Sequence, residues 1–179
     1  MPTFISLLRG INVSGQKKII MTELKQLYEN QGFTKVQTYI QSGNVVFDFE
    51  KLQDYFEISK IIELAIEKKY SFQVPVIVKQ AEDLISAIKN NPFPRNIDTA
   101  RIGITFLENL PGIENLQKLE EIDYPPDQFI IDGLNIYLHC PKSFGNSKLS
   151  NNLFERKLKV RATSRNWRTI NKLIEMAKK

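Results

Sequence analysis

The order in which apolar periodicity changes over residues 1–79 leaves this chain few folds to choose from. Residues 4–8 form a short apolar run with Ser6 inside it, suited to a buried strand. Gly10 and Gly15 bracket a loop. From Met21 the apolar residues recur at Leu24, Leu27 and Tyr28, a helical stripe that stops at Gly32, the residue type favoured just past a helix end. Residues 36–40 and 45–49 are strand-like, and Ser42-Gly43-Asn44 between them supplies turn chemistry. Ile58, Ile61, Ile62, Ala65 and Ile66 share one face of a second helix. Val74-Pro75-Val76-Ile77-Val78 then reads as a strand, with Pro75 tolerable near its start. Strand, helix, strand, strand, helix, strand is the split βαβ order, which predicts an antiparallel sheet in order 4-1-3-2 with both helices on one face.

The second half repeats this pattern less cleanly. A helix is expected from Ala81 to about Asn90, ended by Asn91-Pro92-Phe93-Pro94, since two prolines cannot continue it. Residues 102–107 read as a strand, 113–122 as a helix, and 129–131 with 136–139 as a hairpin turned by Asp132-Gly133-Leu134-Asn135. A helix over 150–158, an extended piece over 160–163 and a helix from Trp167 to about Ala177 complete the chain. The expected fold is α+β, with two ferredoxin-like (split βαβ) subdomains whose antiparallel sheets carry helices on one face. The boundaries are 1–79 for the first subdomain, 80–100 for a helix and Pro-rich connection, and 101–179 for the second with its C-terminal helix. No sequence identity between the halves is visible, so the repeat is one of topology.

Composition narrows the function classes. With 42% hydrophobic residues in 179 the chain can bury a sizeable core. Cys140 is the only cysteine, which excludes an intramolecular disulfide and fits a reducing, cytoplasmic setting. No signal-peptide pattern and no apolar stretch of roughly 20 residues is present, so no membrane association is expected. The net charge is +5, but residues 142–179 hold seven Lys and four Arg against two Glu, a net +9, leaving −4 on residues 1–141. Such asymmetry draws phosphate-bearing partners, although a solvated Lys/Arg face on a terminal helix has the same composition.

Three polar segments interrupt the apolar pattern at element edges: Leu8-Arg9-Gly10-Ile11-Asn12-Val13, Tyr39-Ile40-Gln41-Ser42-Gly43-Asn44 and Thr163-Ser164-Arg165-Asn166-Trp167-Arg168. They are rich in donors and contain no carboxylate, which suits an anion. Gly10 to Lys18 approaches a P-loop, but Gln16 stands where Lys is needed and Lys18 where Ser or Thr would hold magnesium, so a nucleoside triphosphatase is not expected. A Gly-bearing loop there can still turn backbone N–H groups to an anion. His139 and Cys140 are strand neighbours pointing to opposite faces, and no second histidine exists, so neither a thiol dyad nor a zinc site follows. The acidic groups at 82–83 and 120–123 fit helix ends or faces better than paired acid/base work.

The candidate ligand-binding residues are therefore Arg9, Asn12, Ser42, Asn44, Lys148, Arg165, Asn166 and Trp167, expected to gather in one cleft between the N-terminal loops and the C-terminal Arg-Asn-Trp segment. Each also has a structural role to weigh. Asn12 and Asn44 could simply close turns, Arg9 could pair with a surface acid, residues 163–166 could cap a helix, and Trp167 could anchor a core. No cofactor or metal is expected. The partner favoured is a small phosphate- or carboxylate-bearing ligand. The alternatives are RNA or DNA on the basic C-terminal region, or another protein. The strand 43–49 lacks the basic, Gly-rich start of an RRM stacking strand.

The Arg-Gly-Ile-Asn and Gln-Ser-Gly-Asn segments, with Asn91-Pro92-Phe93, Tyr137-Leu138-His139, Ser147-Lys148-Leu149 and Arg165-Asn166-Trp167-Arg168-Thr169, resemble domain-of-unknown-function family 1697, a bacterial family, in order over nearly the whole chain. The family pattern has Gly-Gly after Ile-Asn-Val, where this chain has Ser14-Gly15. The resemblance implies two ferredoxin-like subdomains and no particular activity.

Overall fold

The computed structural model describes residues 1–50 and 54–179. It divides into two compact units, Met1–Ile85 with Lys172–Lys179, and Ser86–Asn171. In the first unit, β1 (Thr3–Leu8), α1 (Met21–Asn30), β2 (Thr34–Tyr39), β3 (Asn44–Asp48), α2 (Tyr55–Tyr70) and β4 (Val76–Gln80) follow in that order. All strand pairs are antiparallel and the sheet order is β2-β3-β1-β4, the split βαβ order expected.

β1, β3 and β4 are buried on both faces, and period decides which of their side chains meet the helices. Phe4, Leu8, Val45, Phe47, Val76 and Val78 meet Leu24, Leu27 and Tyr28 of α1 and Ile58, Ile62 and Ile66 of α2 in one core. Ser6 is the polar exception on that side, and it is satisfied: its Oγ shares a 2.8 Å hydrogen bond with Tyr28 Oη. Asp54 caps α2 by accepting from the Glu57 N–H at 2.8 Å. Gly32, at φ +87, lets the chain leave α1 in the left-handed region. β4 starts at Val76, two residues later than the apolar run suggests, because Pro75 has no N–H to give the ladder; its carbonyl instead accepts from the Arg9 N–H at 3.0 Å.

After α3 (Ala81–Lys89), the second unit contains β5 (Ile102–Leu107), α4 (Ile113–Glu120), β6 (Gln128–Asp132), β7 (Asn135–His139), α5 (Asn151–Leu158) and β8 (Ala162–Asn166), before α6 (Trp167–Ala177). Its sheet order, β6-β7-β5-β8, repeats that of the first. Leu119, Ile136, Leu138, Leu153, Phe154 and Leu158 are among the residues of its core. One expectation changes. The extended piece expected over 160–163 lies a little later, as β8 over Ala162–Asn166, so residues 163–166 belong to the strand, registered on β5 from Leu107↔Ala162 to Gly103↔Asn166. Their polar side chains break the apolar pattern of a strand, yet they are satisfied here: Ser164 Oγ lies 2.6 Å from Thr105 Oγ1 and donates to Asn151 Oδ1 at 2.6 Å. Among the described residues no helix is long and apolar enough to cross a membrane.

Candidate functional site

Arg9, Asn12, Ser42 and Asn44 lie at one end of the first sheet, where β1 finishes beside the β2–β3 turn. The β1–α1 loop is wound tightly, with Gly10, Asn12, Ser14, Gly15 and Lys17 all at positive φ. Asn12 holds it. Its Oδ1 accepts from the Ile19 N–H at 2.9 Å, and its Nδ2 donates to Ile19 O at 3.0 Å and to Gln41 O at 2.9 Å. Both amide hydrogens are engaged within the protein, so Asn12 fastens the loop to the hairpin instead of offering donors outward. Asn44 is fully buried, and its Nδ2 donates to Tyr39 O at 2.9 Å and Ser42 Oγ at 3.0 Å, closing the turn. Gly43 is confined by its neighbours: a Cβ there would lie 2.6 Å from Leu8 Cβ and 2.8 Å from Ile11 Cδ1, at φ +81. Ser42 is exposed and Arg9 half-buried.

Beside Asn12 the loop borders an open recess of about 490 Å³ lined by Asn12, Gly15, Lys18, Gln41 and residues 19–22. Arg9, Ser42 and Asn44 do not line it. Residues 20–22 begin α1, whose N-cap, Ile20, has no side-chain oxygen for the first-turn N–H groups. The acid of that turn, Glu23, is engaged by Tyr70 Oη at 3.0 Å and Lys69 Nζ at 3.7 Å. Lys17 is held by Gln73 O at 2.7 Å, whereas Lys18 is exposed and makes no ion pair among the described residues. Lys18 and Gln41 were therefore missed as wall residues. Lys18 ends the 10–18 loop and Gln41 precedes the Ser42-Gly43-Asn44 turn, but nothing local distinguishes a wall residue from a solvated one.

Lys148, Arg165, Asn166 and Trp167 belong to the second unit. Arg165 is 8% exposed, on the side of β8 opposite Ala162 and its helix-facing core. Its Nη1 donates to Thr163 Oγ1 at 2.9 Å and Ser164 O at 2.8 Å, and burial pushes its pKa down to about 10. It stays charged at neutral pH. Asn166 Oδ1 accepts from the Thr169 N–H at 2.8 Å, the N-cap bond of α6. Trp167 is half-buried, and its carbonyl accepts from Asn171 Nδ2 at 2.9 Å. Lys148 is exposed, with Nζ 5.3 Å from the centre of the Tyr124 ring. Cys140 is fully buried, and burial pushes its thiol pKa up, which removes the thiolate a nucleophile needs. Among the described residues no three His, Cys, Asp or Glu side chains gather to hold a metal ion.

The family described as protein of unknown function (DUF1697) matches residues 1–137. The chain belongs to the DUF1697 family. The matched span takes in the whole β1–α1 loop, the β2–β3 turn and the hairpin through Tyr137. This DUF1697 chain is also similar to a solved structure, the conserved bacterial protein SP0830 from Streptococcus pneumoniae. The TM-score is 0.73 and the identity 27%, over 100% of this chain and 99% of that one. No curated protein matches the chain.

Proposed function

We propose that this DUF1697 protein binds a small anion, a phosphate- or carboxylate-bearing molecule, at the loop end of its first sheet. The observation that carries this is the recess beside Asn12: Lys18 and the first turn of α1 line it, and no carboxylate does. A helix start without a side-chain cap leaves N–H groups for a ligand, and a lysine adds charge that water only partly screens. Asn12 and Asn44 serve this site by shaping it, while Lys18, with Gln41 at the wall, is placed to touch the ligand. Positioning and charge, rather than a nucleophile and base, are what the lining offers, so any chemistry there would rest on electrostatic stabilisation.

Calorimetric titration with inorganic phosphate and with citrate tests this. Saturable binding is expected, weakened at least about fivefold by Lys18→Ala with stability changed by no more than about 0.5 kcal/mol, the scale of surface substitutions. Absence of binding, or equal affinity in Lys18→Ala, would overturn it.

Nucleic acid is the second reading, favoured by Arg156, Lys157 and Lys159 at the end of α5, which make no ion pair among the described residues. Against it, Phe4 of β1 and Phe47 of β3 lie under the helices in the core, so the two strands that carry the stacking aromatics of an RNA-binding sheet offer bases none. Binding to long RNA that falls by about one logarithmic unit per phosphate contact for each tenfold rise in salt, and survives Lys18→Ala, would favour nucleic acid.

A further inference from the structure

β6 is one of the two edge strands of the second sheet, and its register fixes which backbone groups it leaves open. Gly133 and Leu134 form a two-residue turn closed by the Asp132↔Asn135 pair, so the bonded pairs of the hairpin are Asp132↔Asn135, Ile130↔Tyr137 and Gln128↔His139. The other side of β7 agrees: Leu134 O accepts from the Leu107 N–H at 2.9 Å and the Cys140 N–H donates to Arg101 O at 3.0 Å, so even-numbered residues from 134 to 140 face β5. Phe129 and Ile131 therefore turn their N–H and C=O groups away from β7, and neither has a further partner among the described residues.

Most exposed edges are blunted. The β2 edge carries a break in register between Thr34 and Gln37, with Lys35 at φ +48. β6 has none: its five pairs run without interruption. Along it lies a recess of about 370 Å³ whose wall includes Glu120, Asp123 and Asp127 with Ile122, Phe129 and Ile131, and no Lys or Arg. None of those three carboxylates makes an ion pair among the described residues. On the alternate face, Ile130 is 41% exposed. An acidic groove with open strand hydrogen bonds, on a chain of net charge +5, is not explained by the anion site.

We propose that β6 accepts an extended basic peptide segment as an added strand, with Lys or Arg at alternate positions. The added strand would bond to Phe129 and Ile131. Its cationic side chains would lay their stems on Ile122 and reach Glu120, Asp123 and Asp127, while the intervening apolar residues cover Ile130. A second copy of this chain is a poorer occupant, because β6 against β6 sets these acids against one another.

The test is fluorescence polarisation of the full chain with a labelled Lys-Val alternating peptide of about eight residues. Saturable binding is expected, weakening as salt rises, together with slowed amide exchange at Phe129 and Ile131. Asp123→Lys with Asp127→Lys should weaken it at least about tenfold. The same peptide N-methylated on the residues that face β6 should lose binding, and this arm requires no change to the protein. Absence of saturable binding, equal binding of the N-methylated peptide, indifference to the charge reversal, or dimerisation through β6 would each overturn the proposal.

Discussion

Asn12 Nδ2 lies 2.9 Å from the carbonyl oxygen of Gln41, joining the loop after β1 to the turn after β2 across 29 residues of sequence. With the paired bonds between Asn12 and Ile19, it is the point at which the loop becomes a fixed wall. Asn12→Ala is expected to cost about 1–3 kcal/mol in urea unfolding, since an Ile19 N–H and two carbonyls lose their partner. Asn12→Asp should be no better, because a carboxylate would face two carbonyl oxygens. If Asn12→Ala instead weakened phosphate binding with stability intact, the residue would be a ligand contact and not a fastener.

Gly43→Ala should destabilise by more than about 2 kcal/mol. The new Cβ meets Leu8 Cβ and Ile11 Cδ1 well inside contact distance, and φ +81 strains any other residue. Gly10→Ala is the control, having a positive φ but no atom within 4 Å of the added Cβ, and it should cost less. Comparable denaturation midpoints for the two would mean that close packing at the turn carries no energy.

Acid stability should depend on Asp48. Burial raises its pKa, but hydrogen bonds from Lys35 and Thr3 outweigh this and hold it below its ordinary 3.8; the distances are 2.9 Å to Lys35 Nζ and 2.6 Å to Thr3 Oγ1. A depressed folded pKa means stability that is present above the ordinary value and lost as pH falls through the folded one. Asp48→Asn is therefore expected to flatten the decline in urea midpoint below about pH 4. An unchanged acid limb would count against the assignment.

Arg165→Ala should lower stability by about 2 kcal/mol or more, because it removes a buried, hydrogen-bonded side chain from β8. Arg165→Lys should recover only part of this, since one ammonium cannot reproduce the planar donor fork. Urea unfolding of both variants checks this, and full stability in Arg165→Ala would leave the residue free for a ligand role.

What the sequence by itself determined was the order and type of the elements. Leu24, Leu27 and Tyr28, or Ile58, Ile62 and Ile66, carry their spacing within a few residues, and a helix needs nothing more distant to choose its buried face. The same holds for the Ser42-Gly43-Asn44 turn and for the cap that Asn166 gives α6. Tertiary structure decided what the polar residues do. Asn12 looks like a ligand donor until Gln41 and Ile19 are seen to take its amide, and the run 163–166 looks like an approach to the last helix until β5 supplies its strand partners. Lys18 could be recognised as a wall residue only once the loop had closed, and the open backbone of β6 only once the sheet order left it at an edge. Apolar burial is patterned along the chain because it follows local geometry. A hydrogen bond or a free edge depends on which distant segment arrives beside it, and that partner leaves no periodic trace in the sequence.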